Sequence, residues 1–175
     1  MKNQYVGDIG DYSKLGLIST LISLDQNIKL GINWYQFDGI HHTESPNDGK
    51  HYEYLTGKRK DSEKLSRLFP EIYEEFKAKF TININGEIEI FEENRKVENL
   101  EKVSCLENTL FFNANICDLP RDSWFNNSLT ALSEAEIVFL DPDNGLEYSS
   151  GRGGVKHVLI GELEKYYLKG KSVIL

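Results

Sequence analysis

Four short stretches rich in β-branched, aromatic and aliphatic residues, set apart by segments of helical period, constrain this chain most. They are Ile28 to Phe37 (IKLGINWYQF), Asn108 to Ile116 (NTLFFNANI), Glu136 to Leu140 and the closing KSVIL. Between them, apolar residues recur at three- and four-residue steps. Leu15, Ile18, Leu21 and Ile22 follow Asp11, with Asp11 or Ser13 able to cap. Leu65, Leu68, Phe69, Ile72, Tyr73 and Phe76 lie within Ser62 to Phe80, where Pro70 predicts two shorter helices. Further helices are expected through Trp124, Leu129 and Leu132, and from Leu159 to Leu168. Strands separated by helices predict an α/β fold with a largely parallel sheet and right-handed crossovers. TININGEIEIF alternates on either side of Asn85-Gly86, which predicts an inserted β-hairpin. Asp38 to Lys50 is polar, with Gly, Pro and Asn-Asp-Gly, and reads as a loop.

At 175 residues a single domain is the default, with enough chain to bury a core. Leu175 falls inside an apparent strand, so the native chain is expected to continue past it. The net charge of -8 argues against broad, sequence-independent nucleic-acid binding, which needs a positive surface to release counterions. It leaves room for a small-molecule or nucleotide substrate. Lys58-Arg59-Lys60 reads as a solvated face. No segment has the apolar length of a signal peptide core or a membrane span. Cys105 and Cys117 form no Cys-x-x-Cys pair, as expected of a reduced, cytoplasmic protein.

Two blocks concentrate chemistry. In VFLDPDNGLE an apolar run enters Asp141-Pro142-Asp143-Asn144-Gly145 directly. In open α/β sheets, ligands bind beyond the carboxyl ends of the strands. Pro142 fixes its own φ and biases Asp141 toward an extended conformation, which aims that carboxylate. Asp143, Asn144 and Gly145 suit a tight turn in which glycine takes positive φ. The second block, YVGDIGDYSKLGLI, carries Asp8, Gly10, Asp11 and Lys14 at the start of the first helix. Its residues suit either helix capping with an Asp11–Lys14 pair or a role beside a cofactor.

The Asp38–Lys50 loop and its continuation hold His41, His42, Asp48 and His51. No spacing there matches a zinc motif such as His-Glu-x-x-His. If His51 and Asp48 folded over the strand ends to meet Asp8, Asp11, Asp141 and Asp143, the oxygen ligands would suit Mg²⁺ or Mn²⁺ and phosphoester hydrolysis, with His51 as acid/base. SSGRGGVK, Ser149 to Lys156, lacks P-loop spacing and reads as a flexible connection rather than a phosphate cradle. Trp34 and Trp124 read as core or rim aromatics.

The apolar strand followed by Asp-Pro resembles the Asp/Asn-Pro-Pro-aromatic signature of amino-group N-methyltransferases, whose sheet is Rossmann-like. Asp141 and Pro142 match it; Asp143 stands at the second proline and Asn144 at the aromatic. YVGDIGDY together with FLDPDNGL is also similar to a pattern in uncharacterised bacterial and phage proteins. The methyltransferase resemblance implies S-adenosylmethionine as cofactor and a nucleotide or nucleic-acid base as substrate. Asp141, with Asp143 and Asn144, would stand at the amino group, and Asp8, Gly10, Asp11, Lys14 and Asp38 would lie near the cofactor. Only Asp38-Gly39 follows the first strand, in place of a glycine-rich turn. Three readings follow: a methyltransferase-like enzyme, a divalent-metal phosphoesterase or nuclease, and a binding protein without chemistry on the same fold.

Overall fold

The computed structural model describes residues 2–37, 49–147 and 154–175. In chain order its elements begin with α1 (Ile9–Leu24), β1 (Leu30–Asn33), α2 (Glu53–Thr56), α3 (Ser62–Ser66) and α4 (Pro70–Phe80). The strands β2 (Thr81–Ile84) and β3 (Glu87–Ile90) follow, then α5 (Val97–Leu100), β4 (Leu110–Phe112) and α6 (Arg121–Ala131). Last come β5 (Ile137–Leu140), α7 (Ile160–Leu168) and β6 (Ser172–Ile174). The expected loop residues Asp38, His41, His42 and Asp48 lie outside the described residues, as does most of Ser149 to Lys156. No helix among the described residues is long and apolar enough to cross a membrane. The chain divides into two compact units.

The first unit comprises Met1–Lys2, Asp25–His42 and Asn108–Leu175. It holds a 4-stranded sheet in the order β4-β1-β5-β6, every pair parallel. The fold is thus α/β with a parallel sheet, as the alternation of strands and helices predicts. From β1 the chain reaches β4 on one side, then returns across β1 to β5 and onward to β6. That reversal places a topological switch between β1 and β5, where open α/β sheets receive ligands.

Side-chain alternation divides the strands between two faces. Val138 and Leu140 join Trp124, Phe125 and Tyr166 of α6 and α7 in one core, and Phe125 meets Tyr166 edge-on at 5.3 Å. Gly31 lies on this face because a Cβ there would stand 2.9 Å from the Ala135 Cβ and 3.1 Å from Leu132 Cδ2. Ile32 and Phe139, facing the other way, are buried too.

The second unit comprises Asn3–Leu24 and Thr43–Glu107. Its α1 starts earlier than the Asp11 or Ser13 cap expected from sequence. Asp8 caps it instead: its Oδ1 accepts the Asp11 amide at 3.0 Å and its carbonyl the Tyr12 amide at 3.1 Å. The Tyr12 ring packs on Tyr54 at 5.3 Å and Phe69 at 5.7 Å, and its hydroxyl accepts the Phe69 amide at 3.0 Å. Pro70 separates α3 from α4 as expected, sitting in the first turn where its missing N–H costs nothing. Asn85 and Gly86, at φ 55° and 91°, close the predicted hairpin. Past it, Val97, Leu100, Val103 and Leu106 are all buried, a three-residue step carried by α5 and a 3-10 turn at Ser104–Leu106.

Gly31→Val should lower stability by about 1–3 kcal/mol in urea titration, despite valine's better strand propensity, because the added methyls meet the end of α6.

Candidate functional site

At the carboxyl edge of the first unit the sheet continues one rung past β5. The Asp141 amide donates to the Asn33 carbonyl at 2.9 Å, and Asp141 is 5% exposed. Alternation sets it on the Phe139 face, opposite α6 and α7. Asp143 is half-buried and Asn144 exposed. Gly145 turns the chain at φ 75°, the positive value expected of it. Beyond the turn a second short parallel ladder forms, which the sequence does not announce. The Asn144 amide donates to the Lys156 carbonyl at 2.9 Å, Val158 to Gly145 at 3.0 Å and Glu147 to Val158 at 2.9 Å. Glu147, 6% exposed, accepts the Ile160 amide at 2.8 Å and so serves the start of α7.

The chain leaving β1 differs from expectation. The strand anticipated through Phe37 ends at Asn33, because Tyr35 adopts φ 47° and breaks the extended run. This left-handed conformation is uncommon for a bulky residue and is held from several sides. The Tyr35 amide donates to Asn33 Oδ1 at 3.2 Å, and its hydroxyl donates to Glu162 Oε2 at 3.1 Å. Burial, with the Glu162 carboxylate beside it, holds that hydroxyl well above the ordinary tyrosine range, so it remains a donor.

Glu162, 4% exposed, gathers three loops. Arg121 at the start of α6 grips it bidentately, with Nε to Oε1 at 2.6 Å and a terminal nitrogen to Oε2 at 2.8 Å. That nitrogen also donates to the His157 carbonyl at 2.7 Å, and the Leu159 amide reaches Glu162 Oε2 at 3.1 Å. The guanidinium lies over the rings of Tyr35 and Trp124, at 5.4 Å and 5.3 Å from their centroids. Next to this pair, Asn33 Nδ2 donates to the Tyr166 hydroxyl at 3.3 Å, which lies 3.0 Å from Ser128 Oγ. Arg121, Glu162, Tyr35 and Asn33 were not singled out from sequence. A trace existed: an arginine in the first turn of a helix opposes the macrodipole and needs a carboxylate to justify it.

Asp8, Gly10, Asp11 and Lys14 belong to the second unit, and the structure brings them together. Asp11, 1% exposed, accepts the Gly7 amide at 3.2 Å through Oδ2 and faces Lys14 Nζ at 3.3 Å through Oδ1. At Gly10 a Cβ would stand 3.0 Å from Asp8 Oδ1, so glycine keeps the cap unobstructed. Gly7, at φ 80°, hands its carbonyl to the Tyr54 hydroxyl at 3.1 Å. Burial, then Asp11 and Asp8, raise the Tyr54 hydroxyl far above its usual range. These interactions are those of helix capping. His51 exposes its side chain, while its carbonyl accepts the Ile9 amide at 3.0 Å. The adjoining chain is pinned by Arg95, 6% exposed. Its Nε donates to the Val6 carbonyl at 2.8 Å, and its terminal nitrogens reach the carbonyls of Gln4 and Gly49 and Glu92 Oε2.

Asp141, Asp143 and Asn144 belong to the first unit, so the residues named from sequence divide between the two. Asp38 lies outside the described residues. Among the described residues no group of three or more His, Cys, Asp or Glu is arranged to hold a metal ion. No protein-family model, curated protein or solved structure matches the chain.

Arg121→Met should cost about 3–5 kcal/mol in urea denaturation, since it strands a buried carboxylate, and Glu162→Met in the same chain should recover most of the loss. Tyr35, Tyr54 and Tyr166 all carry raised values through burial. Their stabilisation is complete below the unfolded tyrosine value of about pH 10 and erodes as pH climbs toward their folded values. Absorbance near 295 nm should therefore record a tyrosine class that ionises together with loss of far-ultraviolet circular dichroism.

Proposed function

We propose that the protein recognises an amino-bearing base or nucleotide at the carboxyl edge of its sheet, with Asp141 accepting the amino hydrogens. The observation that carries this reading is a buried carboxylate on the rung joining β5 to β1, at the topological switch. A carboxylate accepts hydrogen bonds and donates none when ionised, so it selects a donor such as an exocyclic amine. Main-chain pairing on both sides of the turn fixes where it points, which lowers the cost of binding.

Asp141-Pro142 resembles a methyltransferase edge, but the sequence after β1 offers only Asp38-Gly39 in place of a glycine-rich turn. Trp34, Tyr35 and Phe37, which follow β1, are 1%, 1% and 4% exposed, and Asp38-Gly39 lies outside the described residues. The buried carboxylate carries base recognition by itself, and no transfer step is assigned.

Calorimetry with adenosine, inosine and S-adenosylmethionine tests the reading. Adenosine should bind at least tenfold more tightly than inosine, and Asp141→Asn should erase the difference, as an unpaired buried polar group costs about 1–3 kcal/mol. Equal binding of the two nucleosides, or discrimination that survives Asp141→Asn, would refute it. Tight S-adenosylmethionine binding would instead restore the methyl-transfer reading.

A further inference from the structure

The chain contains two Asn-Gly links, Asn85-Gly86 and Asn144-Gly145. At such a link the glycine nitrogen can attack the asparagine side-chain carbonyl and close a cyclic imide, because glycine has no Cβ to crowd the ring. In a folded chain the reaction depends on the freedom of the side chain and on whether that nitrogen is already held in a hydrogen bond. The two links are identical in sequence and differ in structure.

Asn85-Gly86 closes the hairpin of the second unit, and its nitrogen is occupied. The Gly86 amide donates to Asn83 Oδ1 at 2.9 Å, and Ile84 pairs with Glu87 across the turn. Breaking such a bond before the attack slows the step about twofold to tenfold.

Asn144-Gly145 belongs to the Asp141 loop of the first unit, and Asn144 is exposed. The main chain is paired on either side, the Asn144 amide to the Lys156 carbonyl at 2.9 Å and the Gly145 carbonyl to the Val158 amide at 3.0 Å. Between these bonds the Gly145 amide has no acceptor among the described residues. A Cβ built on Gly145 would meet nothing within 4 Å, which leaves room for the ring and for water. The same holds at Gly86, so the engagement of the nitrogen, and not space, distinguishes the two links.

We propose that Asn144 is a site of spontaneous deamidation in the folded protein, and that Asn83 protects Asn85 from the same fate. The Gly145 nitrogen gives its proton to solvent and bonds to Asn144 Cγ, while the Cγ–Nδ2 bond breaks and ammonia leaves with a proton from solvent. Water then opens the imide. Attack at Cγ breaks the new bond and leaves aspartate; attack at the main-chain carbonyl breaks the original peptide bond and leaves isoaspartate. Either product adds a negative charge to a loop that already carries Asp141 and Asp143. Isoaspartate also inserts a methylene between the Asn144 amide and the Gly145 carbonyl, the two groups bonded to Lys156 and Val158, so both bonds cannot keep their present spacing. This inference stands independently of the base-recognition reading.

The test follows both links in mildly alkaline buffer in the native protein, the urea-unfolded chain, Asn83→Ala and Asn144→Ser. Peptide mapping by mass spectrometry reads conversion at each asparagine, and hydroxylamine, which cuts the chain at the imide, gives a second readout. In the native protein Asn144 should convert about twofold to tenfold faster than Asn85, and in urea the two rates should converge. Asn83→Ala, at an exposed position, should raise the rate at Asn85 and leave that at Asn144 unchanged. Asn144→Ser should remove the acidic species that accumulates in native wild type. Native conversion at Asn85 as fast as at Asn144, or a difference that persists in urea, overturns the proposal. So does a native Asn144 that stays intact while the unfolded chain converts. An Asn85 rate untouched by Asn83→Ala overturns the protective role of Asn83.

Discussion

The carboxyl edge depends on the pairing of β1 with two neighbours at once. All four of its residues pair in register with β5 and three of them with β4, and all four are buried. A strand that short has little hydrogen bonding to spare, so its position is held by both ladders and by close packing against the end of α6. Gly31 makes that approach possible, since any side chain would meet Ala135 and Leu132. Because β1 is also where the strand order reverses, the constraint that builds the sheet also positions the switch.

Glu162 carries that order outward to the loops. It accepts hydrogen bonds from Tyr35 after β1, Arg121 after β4 and Leu159 after β5, so one carboxylate joins three connections at the same edge. A buried ion pair of this kind is weak evidence of net stability, because desolvation offsets much of the attraction. Its geometric content is greater. Bidentate Arg–carboxylate contacts fix orientation as well as distance, and the aromatic platform of Tyr35 and Trp124 fixes the guanidinium plane. The left-handed Tyr35 is the local cost of this arrangement, and it persists because side chain and backbone are both tied.

Local pattern was enough to read much of this from sequence. The parallel sheet followed from strands spaced by helices, the hairpin from Asn85-Gly86, the break before α4 from Pro70, and the edge position of Asp141 from the apolar run before it. Where local chemistry had two outlets, the reading slipped. Asp8 and Asp11 are both competent caps three residues apart, and the helix begins at the first, leaving Asp11 to accept the Gly7 amide. The strand ends after β1 were overextended because Trp34, Tyr35 and Phe37 have strand propensity that tertiary bonds override. The Arg121–Glu162 pair spans 41 residues, and no periodicity links its members. Val97, Leu100, Val103 and Leu106 did carry a signal, a strict three-residue step that fits neither a strand nor a long α-helix face.

The same distinction bears on Asp-Pro-Asp-Asn-Gly. As a string it resembles a methyltransferase edge, and as a structure it is a strand end followed by a second parallel ladder that locks Lys156 in place. A methyl-transfer site must bring two ligands together, whereas a recognition site needs only one. Trp34, Tyr35 and Phe37, the residues that follow β1, are buried. Main-chain pairing on both sides of Asp141 holds its backbone in place, which is the preorganisation that a single ligand would draw on.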